Sequence, residues 1–321
     1  MDYYGLFPKF QLNRPLNDNE LAGKLEQTER LDFNTEQLMP DLKVIAINSN
    51  YLEMTDKFYA SKGLLSFVGL FGSICSFGLI IWFILSTILR AKYEVANIIL
   101  ILSMALVAIP MGLWMLFLLK KEWFAWTHYP IRFDRKNQLV HATRIDGSVF
   151  TVPWQAIFFT TGLNHRKDIG KDYYISGHVL ADDGITVLDT FCLPATNGKV
   201  AELKTHWEFV RRYMEEGPEG MKSRIPFCLP IANKKESCGF TFFYSMTKYS
   251  GLPLLFLPII VPFELFYSFS RYMAMLTSRR PVWSAEIQAL CRVDDNDPYR
   301  LDASMNPKDL WVTLLPKKKS D

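Results

Sequence analysis

Two long stretches without a single Asp, Glu, Lys or Arg, Leu64–Leu89 and residues 95–119, limit this chain more than any other feature of it. The first reads LLSFVGLFGSICSFGLIIWFILSTIL and is mostly Leu, Ile, Phe and Val. At about 1.5 Å per helical residue, either run is long enough to cross a hydrocarbon layer of roughly 30 Å with some tilt. Each large aliphatic or Phe side chain favours insertion by about 0.3–0.6 kcal/mol at a helix centre, which outweighs the Gly and Ser positions. The connector, residues 90–94, is so short that the second helix must return antiparallel beside the first. A membrane helical hairpin is therefore expected. Gly69, Gly72, Ser73 and Ser76 offer small surfaces for close helix approach, and Pro110 with Gly112 predicts a kink in the second helix.

Composition alone looks soluble, with 21% charged residues and a net charge of +3, because nearly all the charge lies outside the two runs. No basic stripe interleaved with aromatics occurs, so nucleic acid is not an expected partner. The lipid bilayer is. Lys57 and Lys62 before the hairpin, and Lys120, Lys121, Trp123 and Trp126 after it, match the basic and aromatic residues that settle at an interface. Against Arg90 and Lys92 in the turn, this bias predicts cytoplasmic termini and an outward-facing turn. No basic segment followed by an apolar core opens the sequence, so a cleaved signal peptide is not expected.

Around the hairpin the pattern changes. In the polar region 1–61, Asn17 or Asp18 is placed to cap a helix running through Leu31, and residues 42–47 read as a strand. The hairpin occupies 62–121. Within 122–217, six short β-rich segments (130–133, 138–144, 148–152, 156–161, 173–180 and 185–193) alternate with turn residues such as Asp146-Gly147 and Asp182-Asp183-Gly184. They predict an antiparallel meander. Val200, Leu203, Trp207, Val210 and Met214 follow at spacings of three and four, one apolar stripe on a helix that Gly217-Pro218 ends and that closes the sheet. A linker, 218–248, leads to a third apolar segment in 249–278, where Pro253, Pro258 and Pro262 leave a kinked span and a re-entrant segment both open. The C-terminal part, 279–321, predicts a helix over 281–293 and a basic tail. The expected fold class is a membrane α-helical hairpin plus an α+β soluble domain.

The element order, hairpin then strands containing Trp154 then one amphipathic helix, resembles the pleckstrin-homology-like (PH-like) domains attached to bacterial membrane hairpins. The resemblance covers residues 123–216 and requires residues 42–47 to supply a seventh strand. The stretch PIRFDRKNQLVHATRIDGSVFTVPW, residues 130–154, is similar to uncharacterised bacterial membrane proteins encoded beside secreted antibacterial toxins, some of which act as immunity proteins. The resemblance implies a multi-pass protein of the bacterial inner membrane with its soluble domain in the cytoplasm. It would be a non-enzymatic binding protein whose partner is a toxin or another protein. A transporter or channel subunit and a membrane enzyme are the competing classes.

Chemistry-bearing motifs are sparse. There is no Ser-centred elbow, phosphate loop, HExxH or Gly-rich dinucleotide turn, so no catalytic or cofactor-binding residue is assigned. Cys75, Cys192, Cys228, Cys238 and Cys291 show no zinc-type spacing and read as reduced thiols, with Cys228–Cys238 the one conceivable disulfide. No metal ligand is assigned either. His165, His178, Asp182 and Asp183 read as loop polar groups, with a metal or acid/base pair as the alternative, and His206 reads as a surface residue. Glu264, alone in an apolar run, is the candidate intramembrane polar site. Arg166 and Lys167 form the candidate loop for lipid headgroups or a partner.

Overall fold

The computed structural model of the chain describes residue 5 and residues 9–90, 94–166, 170–249 and 252–308. In chain order, β1 (Arg14–Pro15), α1 (Asp18–Ala22) and β2 (Lys24–Leu25) precede β3 (Val44–Ile47) and β4 (Tyr51–Met54). The long apolar helices α2 (Leu64–Leu89) and α3 (Val95–Glu122) follow. Next come β5 (Ile131–Asp134), β6 (Leu139–Thr143), β7 (Val149–Pro153), β8 (Ile157–Arg166), β9 (Gly170–Leu180) and β10 (Thr186–Asn197). The chain continues with α4 (Val200–Glu215), α5 (Cys238–Met246), α6 (Leu257–Thr277), α7 (Ala285–Leu290) and β11 (Leu301–Asp302).

These elements form two compact units. The β-rich unit draws on Met1–Ser61, His128–Lys234 and Arg280–Thr313, and the helical unit on Lys62–Thr127 and Lys235–Arg279. The linear segments expected from the sequence are thus regrouped: β4, before the apolar helices, pairs with β5, after them, in the register Met54↔Ile131 to Tyr51↔Asp134.

The β-rich unit holds two antiparallel sheets, ordered β11-β3-β4-β5-β6-β7 and β1-β10-β9-β8-β2. The meander therefore divides at Trp154, where a short 3-10 turn sends the chain from the first sheet into the second. One core joins both sheets to α4, with Phe133, Trp154, Phe159 and Trp207 all buried within it. Trp154 stacks on Trp207 with ring centroids 5.8 Å apart, and Phe159 lies 4.7 Å from the same ring. The expected stripe on α4 is the face that enters this core, and Gly217 ends the helix at φ 107°.

Two expected helices are shorter than their sequence signals. Asn17 does cap α1, exchanging hydrogen bonds with Glu20 in a capping box. The helix stops at Ala22 because Lys24 and Leu25 pair with Thr160 and Phe159 on β8. Gly23 permits that approach, since a Cβ there would lie 2.6 Å from the Thr161 hydroxyl. Likewise the helix expected over 281–293 is confined to α7, capped by Ser284.

In the helical unit α2 and α3 lie antiparallel. A Cβ on Gly69 would meet the Met115 carbonyl at 2.7 Å, and one on Gly112 would meet the Phe77 ring at 2.5 Å, so these glycines set the close approach. Glu122, at the end of α3, accepts hydrogen bonds from the Gly63 and Ser66 amides at 2.6 and 2.7 Å. Its carboxylate satisfies amides at the N-terminus of α2 where the helix dipole favours negative charge. Among the described residues two helical stretches are long and apolar enough to cross a membrane, Tyr59–Leu89 and Val95–Glu122. Of the third apolar segment, residues 257–277 form α6, with Pro258 in its first turn, where a missing amide costs little.

Candidate functional site

The strand period places the polar site of the β-rich unit. On β5, Ile131 and Phe133 enter the core, so Arg132 and Asp134 point to the opposite face. His141 on β6 is the cross-strand partner of Arg132, and Thr151 on β7 is the partner of His141, which puts all of them on that same face. A segment carrying α7 covers it, and Trp283, Ile287 and Cys291 form a small cluster of their own with Tyr51 and Val149.

Between this face and the segment lies a cleft of about 780 Å³. Arg132 is its most constrained charge. Its guanidinium lies 4.2 Å from the Tyr51 ring and 4.9 Å from the Trp283 ring, and donates from Nε to Glu53 at 2.9 Å. Burial pushes the Tyr51 phenol up, against the opposing pull of Arg132. Lys234, Arg280 and Arg300 also line the cleft, so four basic side chains face two acidic ones, Glu53 and Asp302. Such a surface favours an anionic partner.

Beside Arg132 sits a buried triad, Asp134, His141 and Cys291, whose candidate ligand atoms all lie within 4.8 Å of one another. The Cys291 thiol donates to Asp134 Oδ2 at 3.5 Å, and His141 Nε2 lies 3.8 Å from that same oxygen. The other ring nitrogen, Nδ1, is 2.8 Å from the Thr151 hydroxyl. Asn137 donates to both Asp134 oxygens, from its amide at 3.1 Å and its side chain at 2.7 Å. Burial raises the Asp134 carboxyl, but His141 and Asn137 outweigh it and hold the group below its ordinary value. Burial, with Asp134 adding to it, pushes the Cys291 thiol up to about 11. A nucleophilic cysteine needs the reverse, a depressed thiol paired to one imidazole nitrogen while an acid orients the other. Here a single nitrogen faces both neighbours, an arrangement that suits a shared cation instead.

The residues singled out from the sequence lie elsewhere. Glu264, in α6 of the helical unit, is 1% exposed and accepts a hydrogen bond from the Tyr249 hydroxyl at 2.7 Å. Its second oxygen has no hydrogen-bond partner among the described residues. The Lys248 ammonium lies 4.1 Å from the Tyr267 ring, and burial brings it down to about 8 against the pull of Glu264. Arg166 ends β8, while Lys167 lies outside the described residues.

His178 does not join Asp182 and Asp183. It is buried, 2.8 Å from the Thr190 hydroxyl through Nδ1 and 3.5 Å from Glu20 through Nε2. Asp183 instead closes its turn by accepting from the Ile185 and Thr186 amides. His206 is not a surface residue, because α4 turns it inward, fully buried, with Nδ1 2.8 Å from the Met39 carbonyl. Lys57 and Lys62, read as interfacial charges, are both buried as well. All five cysteines are free thiols.

The triad escaped the sequence reading because Cys291 follows His141 by most of a domain, leaving no ligand spacing to read. The legible part was the alternation in RFD and VHA, which places Arg132, Asp134 and His141 on a polar strand face.

No curated protein and no solved structure matches this chain. One family model does, over residues 108–295, a stretch that contains Asp134, His141 and Cys291. That match covers more than half of the chain, and the protein therefore belongs to the family of unknown function DUF6708.

Proposed function

We propose that this protein is a membrane-anchored binding protein that acts by holding a partner and not by turnover, with α2 and α3 crossing the bilayer as a hairpin. The observation that carries this reading is the apolar outer surface of those helices: Ile74, Trp82, Leu106 and Trp114 are all more than half exposed. A contiguous apolar surface of that size needs a nonaqueous cover, and lipid is the cover suited to two helices of this length. The β-rich unit, with two antiparallel sheets and α4 against them, is in keeping with a PH-like domain, and its basic cleft suits an acidic segment of a protein partner. In this reading the unit lies on the cytoplasmic side of a bacterial inner membrane, and the partner is a secreted membrane-targeting toxin against which the chain gives immunity.

The experiment is to express, with this protein, any secreted-toxin gene that flanks its coding sequence, and to follow growth. Protection by the full chain, reduced by the charge reversals Lys234→Glu and Arg280→Glu at the cleft, is the expected result. Unprotected growth arrest, or flanking genes of a transport system, would contradict immunity.

A further inference from the structure

We propose that Asp134, His141 and Cys291 form a binding site for one divalent transition-metal ion, zinc by the chemistry of its donors. The three side chains come from the end of β5, the middle of β6 and the residue that follows α7, and each is buried, with His141 at 1% and Cys291 at 3% exposure. His141 Nε2 is a buried polar atom with no hydrogen-bond partner among the described residues, and it faces the Asp134 carboxylate and the Cys291 sulfur. An unsatisfied buried nitrogen costs free energy, and an ion taking its lone pair removes that cost.

The supporting groups are those a metal site requires. Thr151 contacts Nδ1, which holds the ring orientation, and its hydroxyl can accept from Nδ1–H in the tautomer that leaves the Nε2 lone pair open as a ligand. Asn137 holds the carboxylate through both oxygens. Ligand atoms bound at about 2.0–2.3 Å to a tetrahedral ion lie roughly 3.2–3.8 Å apart. The Cys291 sulfur lies 3.5 Å from Asp134 Oδ2, within that range, and His141 Nε2, at 3.8 Å from the same oxygen, needs a side-chain movement of about half an ångström to reach the N–O spacing of a tetrahedral ion, with all three donor atoms inside 4.8 Å of one another. One carboxylate, one imidazole and one thiolate make a mixed O, N, S set that suits zinc over the harder calcium or magnesium. Three protein ligands leave a fourth position for water or a small ligand.

Binding balances as a proton exchange. The ion takes the Cys291 sulfur as thiolate, the thiol proton leaves to solvent, and no oxidation occurs. The net positive charge gained is one unit, from a dication less one proton, and the nearby Arg132 charge that would oppose it is already paired with Glu53.

The test uses the full chain, purified in detergent with any affinity tag removed, and dialysed against zinc or cobalt. One equivalent of metal per chain is expected, together with a thiolate-to-cobalt charge-transfer band and the intense visible bands of a tetrahedral site. Cys291→Ser should remove the charge-transfer band, while Cys75→Ser and Cys238→Ser keep it. Thr151→Val should keep the band and weaken binding by about 10–100-fold. Wild-type chain that binds no stoichiometric metal would overturn the proposal whatever the variants do. So would a charge-transfer band that survives Cys291→Ser.

Discussion

At the scale of single residues, the β-rich unit depends on charges it has taken out of water. Glu208 on α4 is buried with Arg211 and Arg212, and those guanidinium groups reach on to the carbonyls of Leu31 and Phe33 and to Glu216. Removing Glu208 takes from two buried guanidinium groups the carboxylate they share and leaves Arg212 charged without a counter-ion, which costs about 3–5 kcal/mol. Glu208→Ala should lower the unfolding midpoint of the full chain in denaturant accordingly, whereas Glu202→Ala, at an exposed position on the same helix, should cost less than about 0.5 kcal/mol. A midpoint unchanged by Glu208→Ala would show that the set is not part of the fold. His206 gives a pH dependence. Burial lowers its imidazole from 6.5 to about 4, against the pull of Asp41, so the unfolded chain binds a proton that the folded chain refuses between those values. Stability from this residue is present above pH 6.5 and is lost as the pH falls towards 4. The melting temperature should drop over that window, and by less in His206→Gln. An equal drop in the variant would assign the effect to other groups. Neither residue was legible as buried: the helical stripe of α4 is read from its apolar members, and the segment 27–41 that covers its other side carries no period of its own.

At the scale of elements, the sequence was most informative where a period is long or a turn is chemically explicit. Both apolar helices, all six strands after them and α4 lie where the apolar spacing puts them, with β8, β9 and β10 running further than their apolar cores. Pairing was the hidden part. Strand alternation says which face is buried and says nothing about which edge is shared, so the partnership of β4 with β5 across the intervening helices could not be read. The same gap hid the division of the meander at Trp154. It follows that residues 123–216 alone, which lack β2, β3 and β4 and the core side chains Leu38, Ile47 and Leu52, should not fold cooperatively. A chain joining residues 1–61 to 128–234 and 280–313 through flexible linkers should fold, with a β-rich circular dichroism spectrum and a sharp thermal transition. A sharp transition in the 123–216 fragment would mean that the strands before the apolar helices are accessory to the core.

For the whole molecule, the proposed function rests on what the two units expose. The β-rich unit offers a basic cleft with a buried Asp-His-Cys triad at its wall, and the helical unit offers apolar side chains that water cannot accommodate. The second property was legible in the sequence, because uncharged runs of this length are visible without any knowledge of contacts. The cleft was not, since it is assembled from strands β3 to β5 and a segment near the C-terminus that meet only in three dimensions. Lys57 and Lys62, expected to help orient the chain, are buried inside the protein and so do not bear on the proposed orientation. Anchoring itself is the claim on which the binding account stands, and alkaline carbonate washing of membranes from cells producing the full chain tests it most directly. Retention in the membrane pellet, with release only by detergent, is the expected result; recovery of the chain in the carbonate supernatant would contradict insertion of α2 and α3.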